Sequence, residues 1–205
     1  MIHVLHGFLG SPEDFSFLPQ RKDIKIYDLL GGIDFTPSAD DTLIGYSMGG
    51  RIALEMASIT LPKKVILLAA HPGLSREEEI VKRKRWEDLI LSKFDEGEEE
   101  FLRYWNQLPL FSHDEPIKLK NGRFLKFKNL FERMRLSRQE NFLPLIKNNP
   151  ERFLWVVGKQ DDKYSHMASE LLAPLGVKTR EITGGHRLYQ RQVELLQILK
   201  EEGVL

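Results

Sequence analysis

Short apolar runs recur along the chain and are separated by turns and polar segments. Continuous runs of this kind are typical of parallel strands that helices cover on both faces. Six strands are predicted, at residues 2–5, 24–27, 42–44, 64–70, 152–157 and 177–182. Helices are predicted at residues 50–58, 166–175 and 188–202. The alternation predicts an α/β domain with a mostly parallel sheet, although an α+β domain could contain the same elements.

One long stretch interrupts this alternation. Residues 75–149 contain charged, amphipathic helical patterns and no convincing strand. Within it, residues 75–78 and 137–140 each place a glutamate three positions after a serine, which predicts a capping box and a helix start. A helical insertion of this length usually covers the site at the strand ends. We therefore predict a core of residues 1–74 and 150–205, with residues 75–149 as a helical cap.

Composition narrows the class of protein. The chain has 205 residues, 41% hydrophobic and 29% charged, which suits one globular domain. Thirty basic residues balance thirty acidic ones, and this zero net charge argues against a general binder of nucleic acids or membrane surfaces. Cysteine is absent, which excludes disulfide scaffolds, cysteine-based metal sites and a cysteine nucleophile.

We find no sequence pattern that predicts a membrane helix, a signal peptide or a metal site. No apolar run approaches the ~20 residues of a membrane helix, and the first residues do not resemble a signal peptide. We expect a cytoplasmic protein with no membrane insertion. His3 and His6 would face opposite sides of a strand, so no metal site is predicted. The sequence does not indicate an oligomeric state.

Residues 45–50 (GYSMGG) lie between the third predicted strand and the helix that follows it. This is the position of a G-x-S-x-G nucleophile elbow, a turn so tight that the serine hydroxyl is lifted above the sheet edge. The N-terminus of the following helix would direct its positive end at the reacting oxygen. The motif alone recurs by chance, but the flanking strand and helix predict that Ser47 is a nucleophile.

Two later strand ends supply partners in the chain order serine, acid, histidine that such elbows use. The fifth strand leads into Asp161 and the sixth into His186. We predict that His186 accepts the proton of Ser47 and that Asp161 fixes the histidine tautomer. The neighbouring Asp162 is the alternative acid.

An oxyanion hole needs two backbone N–H groups, one after the nucleophile and one in the loop after the first strand. Met48 and Phe8 occupy these two positions and are predicted to donate them. We interpret His6 as a structural residue that supports the loop, with a catalytic role as the alternative.

Further segments make the pattern more specific. Residues 71–74 (HPGL) follow the fourth strand, and residues 105–111 form the pattern W-x-Q-x-P-x-F. The superfamily resemblance itself has other carriers: residues 6–8 (HGF), 45–50 (GYSMGG), the G-x-x-D at 158–161 and residues 184–186 (GGH) resemble the α/β-hydrolase superfamily over essentially the full chain. Within it, residues 71–74 and 105–111, together with 6–11 (HGFLGS), 45–51 (GYSMGGR), Arg83 and 158–161 (GKQD), resemble the SHCHC synthases of menaquinone biosynthesis, which make 2-succinyl-6-hydroxy-2,4-cyclohexadiene-1-carboxylate (SHCHC). Plain esterases of the superfamily need neither residues 71–74 nor residues 105–111.

The resemblance implies an α/β-hydrolase fold and a lyase without a cofactor. Such an enzyme uses the triad to abstract a proton and expels pyruvate from a cyclohexene polycarboxylate, with no water added. The resemblance also implies that the substrate, a small anionic carboxylate, is bound by Tyr46, Arg51, Arg83 and Trp105.

Residue spacing agrees with two of these positions. Arg51 follows Ser47 by one helical turn, and Arg83 shares an apolar helix face with Trp86. An arginine on an inward face needs a partner, which a ligand carboxylate can supply. The alternative for both is a structural salt bridge to a glutamate of the cap, and Trp105 could simply form the apolar face of the cap.

The chain also departs from the family. The segment between Gly7 and Ser47 is too short for the helix that normally precedes the nucleophile strand, and two leading strands are absent, so the sheet is N-terminally shortened. A further substrate-binding arginine has no motif here, and Arg123, Arg133 and Arg135 are candidates. They lie in a basic stretch that is either a solvated face or a surface that attracts substrate.

Two other functions stay open. A carboxylesterase or thioesterase would use the same triad, with Ser47 as the acyl nucleophile. A non-catalytic binding module on a hydrolase scaffold is the third possibility, although the intact order of serine, acid and histidine argues against it. Arg51, Arg83 and Trp105 favour the lyase.

Overall fold

The computed structural model describes residues 1–120 and 122–205. Within this part, six strands form one sheet in which all neighbours are parallel. The strands are β1 (Ile2–Leu5), β2 (Ile24–Tyr27), β3 (Thr42–Tyr46), β4 (Lys64–Leu68), β5 (Phe153–Gly158) and β6 (Lys178–Ile182). Their order is β2-β1-β3-β4-β5-β6. The predicted α/β fold with about six strands is confirmed.

Seven α-helices connect or flank these strands in the described residues. They are α1 (Met48–Ile59), α2 (Glu77–Lys93), α3 (Glu98–Asn106), α4 (Phe124–Arg133), α5 (Leu143–Asn148), α6 (Asp162–Met167) and α7 (Gln192–Glu201). The helix predicted at residues 166–175 begins earlier, at Asp162, and continues to Leu175 through a wider and then a tighter turn. None of the helices described here has the length and apolarity needed to cross a membrane.

The connections between the first three strands are short, as predicted. Only single 3₁₀ turns, Pro12–Phe15 and Leu29–Gly31, connect β1 to β2 and β2 to β3 among the described residues. The central strands carry the core, and the side chains from Val65 to Leu68 and along Phe153–Gly158 are all buried. Because both faces of these strands are covered, they read in the sequence as continuous apolar runs.

Residues 75–149, which we call the insertion, lie between β4 and β5 in the chain and contain α2 to α5. The two predicted capping boxes are wrong. Helix α2 begins at Glu77, after Arg76, which makes no side-chain cap. Ser137 lies inside a 3₁₀ turn, Leu136–Arg138, and its hydroxyl bonds to a distant glutamate instead of a local N–H.

That glutamate, Glu87 of α2, is fully buried and holds two parts of the insertion together. Its carboxylate accepts the N–H of Leu136 at 2.8 Å and the hydroxyl of Ser137 at 2.5 Å. It also accepts Nε–H of Arg83, one turn earlier on α2, at 2.7 Å. These charge-assisted bonds satisfy a carboxylate that would be costly to bury alone.

Glu87→Ala should lower the free energy of unfolding by about 3 kcal/mol, because it leaves buried donors and a guanidinium without their partner. Urea denaturation measures this change. Glu78→Ala, an exposed position on the same helix, is the matched control and should cost less than about 1 kcal/mol. Equal effects of the two substitutions would show that Glu87 does not hold the insertion together.

Candidate active site

Ser47 lies in the turn between β3 and α1 with a φ of 50°, a conformation that residues other than glycine rarely adopt. Two glycines permit this turn. A Cβ at Gly45 would lie 2.5 Å from the carbonyl oxygen of Gly49, and a Cβ at Gly49 would lie 2.3 Å from that of Leu5. The G-x-S-x-G spacing therefore has a steric cause, since the backbone of α1 packs directly on β3 and on the end of β1.

Ser47, His186 and Asp161 form a hydrogen-bonded row. Nε2 of His186 is 3.1 Å from Oγ of Ser47, and its Nδ1 is 2.6 Å from Oδ2 of Asp161. Both His186 and Asp161 are buried, and the other carboxylate oxygen of Asp161 accepts the N–H of Tyr164. Asp162, the alternative acid, is exposed in the first turn of α6. In such a row the histidine can take the serine proton while the carboxylate fixes the tautomer.

Phe8 and Met48, the predicted oxyanion donors, lie on the loop after β1 and at the first position of α1. Over residues 1–120 and 122–205, neither N–H donates to a protein acceptor. Both are therefore free to donate to a substrate oxygen. The ring of Phe8 packs against four aromatic rings of the insertion, those of Phe94, Trp105, Phe127 and Phe131.

His6 is buried beneath this loop and supports it. Its Nε2 accepts the N–H of Leu29 at 3.1 Å, so Nδ1 carries the proton and donates to the carbonyl of Gly7 at 2.7 Å. Burial lowers the pKa of His6, which keeps the ring neutral. These contacts favour the structural interpretation of His6.

The three candidates for a further substrate arginine differ in their contacts. Arg123 donates two bonds to Asp28, at 2.8 and 2.9 Å, and one to the carbonyl of Gly10 at the end of the Phe8 loop. Arg135 is buried and pairs with acids of the insertion. Arg133 is exposed at the end of α4. Arg123 and Arg135 therefore hold the protein together and are engaged by its own carboxylates.

A cleft lies between the insertion and the sheet edge, and the centres of water molecules can occupy about 480 Å³ of it. Arg83, Trp86 and Lys163 are among its lining residues. A second, much smaller space of about 30 Å³ lies directly over Ser47 and His186. Trp105 lines both, so its ring lies between the wide cleft and the space over the serine.

Arg51 is buried on α1, and its guanidinium donates to the side-chain oxygen of Gln139 at 3.2 Å. In the described part of the chain, no carboxylate lies within 4.0 Å of its guanidinium nitrogens. Burial and, to a smaller extent, the positive charge of Arg83 lower the pKa of Arg51 to about 10. Arg51 therefore stays charged near neutral pH, and the carboxylates of Glu87 and Glu55 act on it without direct contact.

Arg83 fits both of its predicted roles. Its Nε–H donates to Glu87, which is the structural salt bridge expected as the alternative. Its guanidinium also lies 4.4 Å from the ring centre of Trp86 and lines the cleft. About a quarter of the side chain is exposed, so a ligand in the cleft can reach it.

Tyr46 and Trp105 form walls near Ser47. The ring of Tyr46 is buried between His186 and Tyr189, with centroid distances of 5.7 and 5.3 Å. Trp105 stacks on Phe101, and so contributes to the apolar face of the insertion as well as to the cavities.

Two residues at the small space were missed in the sequence. Arg187 directly follows His186, is 3% exposed and lies 4.2 Å from the ring centre of Phe111. Asp14 lies in the turn after the Phe8 loop and accepts the N–H of Ser11. Arg187 could have been found from its position directly after the predicted histidine. No local sequence feature marks Asp14 as a residue of this site. The described residues contain no group of three or more His, Cys, Asp or Glu side chains that could hold a metal ion.

Comparison with known proteins places these features in a family. Residues 4–197 match the model of the alpha/beta hydrolase family. The chain belongs to the alpha/beta hydrolase family. The α/β-hydrolase fold predicted from the motifs is thereby confirmed.

Among relatives of this alpha/beta hydrolase, a Bacillus subtilis (strain 168) protein is 29% identical over 238 aligned residues, with 93% of this chain and 85% of that protein covered. It is provisionally named as a 2-succinyl-6-hydroxy-2,4-cyclohexadiene-1-carboxylate synthase. A protein of Escherichia coli (strain K12) with that enzyme name is 27% identical, with 82% of this chain and 67% of its own length covered. The resemblance to SHCHC synthases is therefore confirmed as a sequence similarity.

Solved structures share the fold. MenH from S. aureus superposes with a TM-score of 0.73 at 23% identity, covering 99% of this chain and 94% of that one. A carboxylesterase from the thaumarchaeon Nitrososphaera gargenis gives a TM-score of 0.63 at 15% identity, covering 98% and 88%. Both structures share the α/β-hydrolase fold with this chain, and a shared fold does not by itself decide the reaction.

The pH dependence of stability tests the environment of Asp14. Burial raises its pKa from 3.8 to about 6. The native state therefore retains a proton that the unfolded chain releases, and the contribution of Asp14 to the free energy of unfolding falls as pH rises from about 4 to 6. Asp14→Asn, which keeps an oxygen for Ser11, should be more stable than the wild type by about 2 kcal/mol at pH 7 and no more stable near pH 4.

Urea denaturation across this pH range measures the difference. Asp34→Asn, at an exposed carboxylate, is the matched control and should leave the profile unchanged. Parallel profiles for wild type and Asp14→Asn would contradict the burial argument.

Proposed function

We propose that this alpha/beta hydrolase is a cofactor-independent lyase that releases pyruvate from a cyclohexene polycarboxylate in menaquinone biosynthesis. The similarity to proteins named as SHCHC synthases supports an enzyme of this kind. The observation that carries the proposal is the buried Arg51, which has no carboxylate partner in the described residues and lies one helical turn from Ser47. Burying such a charge is unfavourable unless a ligand balances it.

The proposed catalytic residues are Ser47, His186 and Asp161. His186, linked to Ser47 at 3.1 Å and to Asp161 at 2.6 Å, takes a proton from a substrate carbon through the serine hydroxyl. The electron pair of that C–H bond forms a ring double bond, and the bond to the pyruvate oxygen breaks. The departing enol then takes a proton and becomes pyruvate, so no water enters the products.

The N–H groups of Phe8 and Met48 are proposed to bind the oxygen on which negative charge develops during proton removal. They lie in a site with little room for solvent, about 30 Å³ over Ser47. Donors that are fixed in place before the reaction stabilise such charge without reorganising. No metal ion or organic cofactor is needed in this scheme.

Arg83 is proposed to bind a substrate carboxylate in the wide cleft of about 480 Å³, with Trp105 as an apolar wall. Arg51, which is buried on α1 and is not among the residues that line this cleft, is proposed to bind a second carboxylate, and Tyr46 to form a wall of the small space over Ser47. Guanidinium groups pair with carboxylates through two parallel hydrogen bonds. Residues 75–149 act as a cap over a core of residues 1–74 and 150–205. A cytoplasmic location stays a prediction.

The same row of side chains would serve a carboxylesterase or thioesterase with Ser47 as nucleophile. A neutral ester leaves the charge of Arg51 unbalanced, which is why we favour the anionic substrate. The two functions differ in their products, and assays separate them.

The purified protein, incubated with the menaquinone precursor that carries the pyruvate group, should release pyruvate. Ser47→Ala should lower kcat by at least about 10³-fold, as removal of a member of such a row does elsewhere. Coupled detection of pyruvate measures this rate, and nitrophenyl esters and acyl-CoA are assayed in parallel. Turnover of the esters alone would establish the esterase or thioesterase instead.

Arg83→Ala should lower kcat/KM for the anionic precursor by about 10- to 100-fold, because one charge-assisted contact is lost. Any hydrolysis of a neutral ester should change by less than about twofold. Arg85→Ala, exposed on the same helix, is the matched control and should resemble the wild type. Equal losses on both substrates would mean that Arg83 serves only to bind Glu87.

A further inference from the structure

The loop that carries His186 is bound to the insertion by a dense polar contact. The backbone N–H groups of His186 and Arg187 both donate to Oδ2 of Asp114, at 2.9 and 3.1 Å. Asp114 lies in the insertion between the 3₁₀ turn Pro109–Phe111 and α4. One carboxylate oxygen of the insertion thus fixes the main chain of the candidate catalytic histidine.

The side chain of Arg187 continues this contact. Its guanidinium donates to the carbonyl oxygen of Glu115 at 2.5 Å and to Oδ1 of Asn106 at 2.8 Å. Its face lies over the ring of Phe111. This buried guanidinium is bonded to neutral oxygens of the insertion. It therefore links the His186 loop of the core to the insertion.

A third pair of bonds completes the contact. The N–H of Glu115 donates to the side-chain oxygen of Gln190, and the side-chain amide of Gln190 donates back to the carbonyl of Glu115, both at 3.0 Å. Asn106 is itself fixed by two bonds with the backbone of Ile117. We call Asn106, Asp114, Glu115, Arg187 and Gln190 the histidine clasp.

On the core side, Gln160 binds the start of the loop: its N–H donates to the carbonyl of Gly184 and its side-chain oxygen accepts the N–H of Gly184, both at 3.0 Å. The loop leaves the edge strand β6 through Gly184, which has a φ of 101°, and Gly185. Glycines at these positions leave the backbone many alternative conformations. The carboxylate of Asp114 packs so closely on Gly185 that a Cβ there would lie 2.8 Å from Oδ1. The core thus binds the start of the loop, and the insertion fixes its main chain at His186 and Arg187.

We propose that Asp114 is a positioning residue for His186, and that the histidine clasp couples the packing of the insertion on the core to the alignment of His186 with Ser47. The inference rests on the proposed function only in that His186 must be the base. It gives the insertion a second role besides lining the cleft. A displacement of about 1 Å in a catalytic group can cost 10²-fold in rate.

The reactivity of Ser47 toward a small fluorophosphonate tests this role without any assumption about the natural substrate. Intact mass gives the rate at which the full-length chain is labelled. Asp114→Ala should be labelled about 10- to 100-fold more slowly than the wild type, because His186 is no longer held in line. Asp114→Asn, which keeps an oxygen acceptor for the two N–H groups, should recover to within about threefold.

The matched control is Lys120→Ala. This substitution removes an exposed ion pair between the insertion and Glu13, at 2.7 Å, which does not contact the His186 loop. Its labelling rate should equal that of the wild type. In the pyruvate assay, Asp114→Ala should lower kcat by the factor seen in labelling and leave KM within about twofold, because Arg51 and Arg83 are untouched.

Wild-type labelling rates for Asp114→Ala would overturn the inference, as would a loss expressed only in KM. A wild-type chain that is labelled at Ser47 but releases no pyruvate would contradict the proposed function, while the comparison of labelling rates would still decide the role of Asp114. A wild-type Ser47 that resists labelling would overturn both.

If circular dichroism shows that Asp114→Ala does not fold, Arg187→Lys replaces it. This variant keeps the charge but cannot reach both oxygens as the planar guanidinium does. It should be labelled about 3- to 10-fold more slowly than the wild type. An unchanged rate in the folded Arg187→Lys protein would overturn the clasp.

Discussion

The site depends on one steric constraint, the close approach of the backbone of α1 to β3 and to the end of β1. This approach requires positions 45 and 49 to lack a side chain, since a Cβ at either would lie within 2.5 Å of a carbonyl oxygen. It forces Ser47 into a left-handed conformation and lifts its hydroxyl toward His186. It also brings the start of α1, where Met48 lies, against the end of β1, from which the loop of Phe8 leaves. The same packing therefore positions the proposed nucleophile and the start of α1.

The distribution of charge is the second constraint on the site. Although the net charge is zero, the arginines differ in whether an acid of the protein pairs with them. Arg123 pairs with Asp28 of the core and so binds the insertion to it, whereas Arg135 pairs with two acids within the insertion. Among the described residues, the buried Arg51 has the amide oxygen of Gln139 as its side-chain hydrogen-bond partner and no carboxylate in contact. A buried charge without a close counter-ion is unfavourable, and a ligand carboxylate at Arg51 would offset that cost.

Much of the fold and the central row of side chains could be predicted from the sequence because both have local causes. Continuous apolar runs gave the strands, and Ser47, Asp161 and His186 each follow a strand within a few residues. The errors also have physical reasons. Strand β4 ends at Leu68 because Ala69 turns into a left-handed conformation, which an apolar run does not reveal.

The features that were missed depend on contacts between distant segments. Ser137 looks like a local helix cap but bonds to Glu87, fifty positions away. Asp114 has no neighbours in sequence that mark it, and its partners His186 and Arg187 meet it only when the insertion packs on the core. Periodicity and motif spacing describe one element at a time. Contacts between elements of this kind therefore need the folded structure.

Turnover of the menaquinone precursor in ¹⁸O-labelled water tests the central claim most directly. Elimination adds no water, so mass spectrometry should find pyruvate and a diene product whose carboxylate oxygens carry no label; the ketone oxygen of pyruvate exchanges and is not counted. Hydrolysis through an acyl-enzyme places one solvent oxygen in a newly formed carboxylate. Pyruvate release with unlabelled carboxylates is the predicted result. A labelled carboxylate, or no release of pyruvate, would contradict the account.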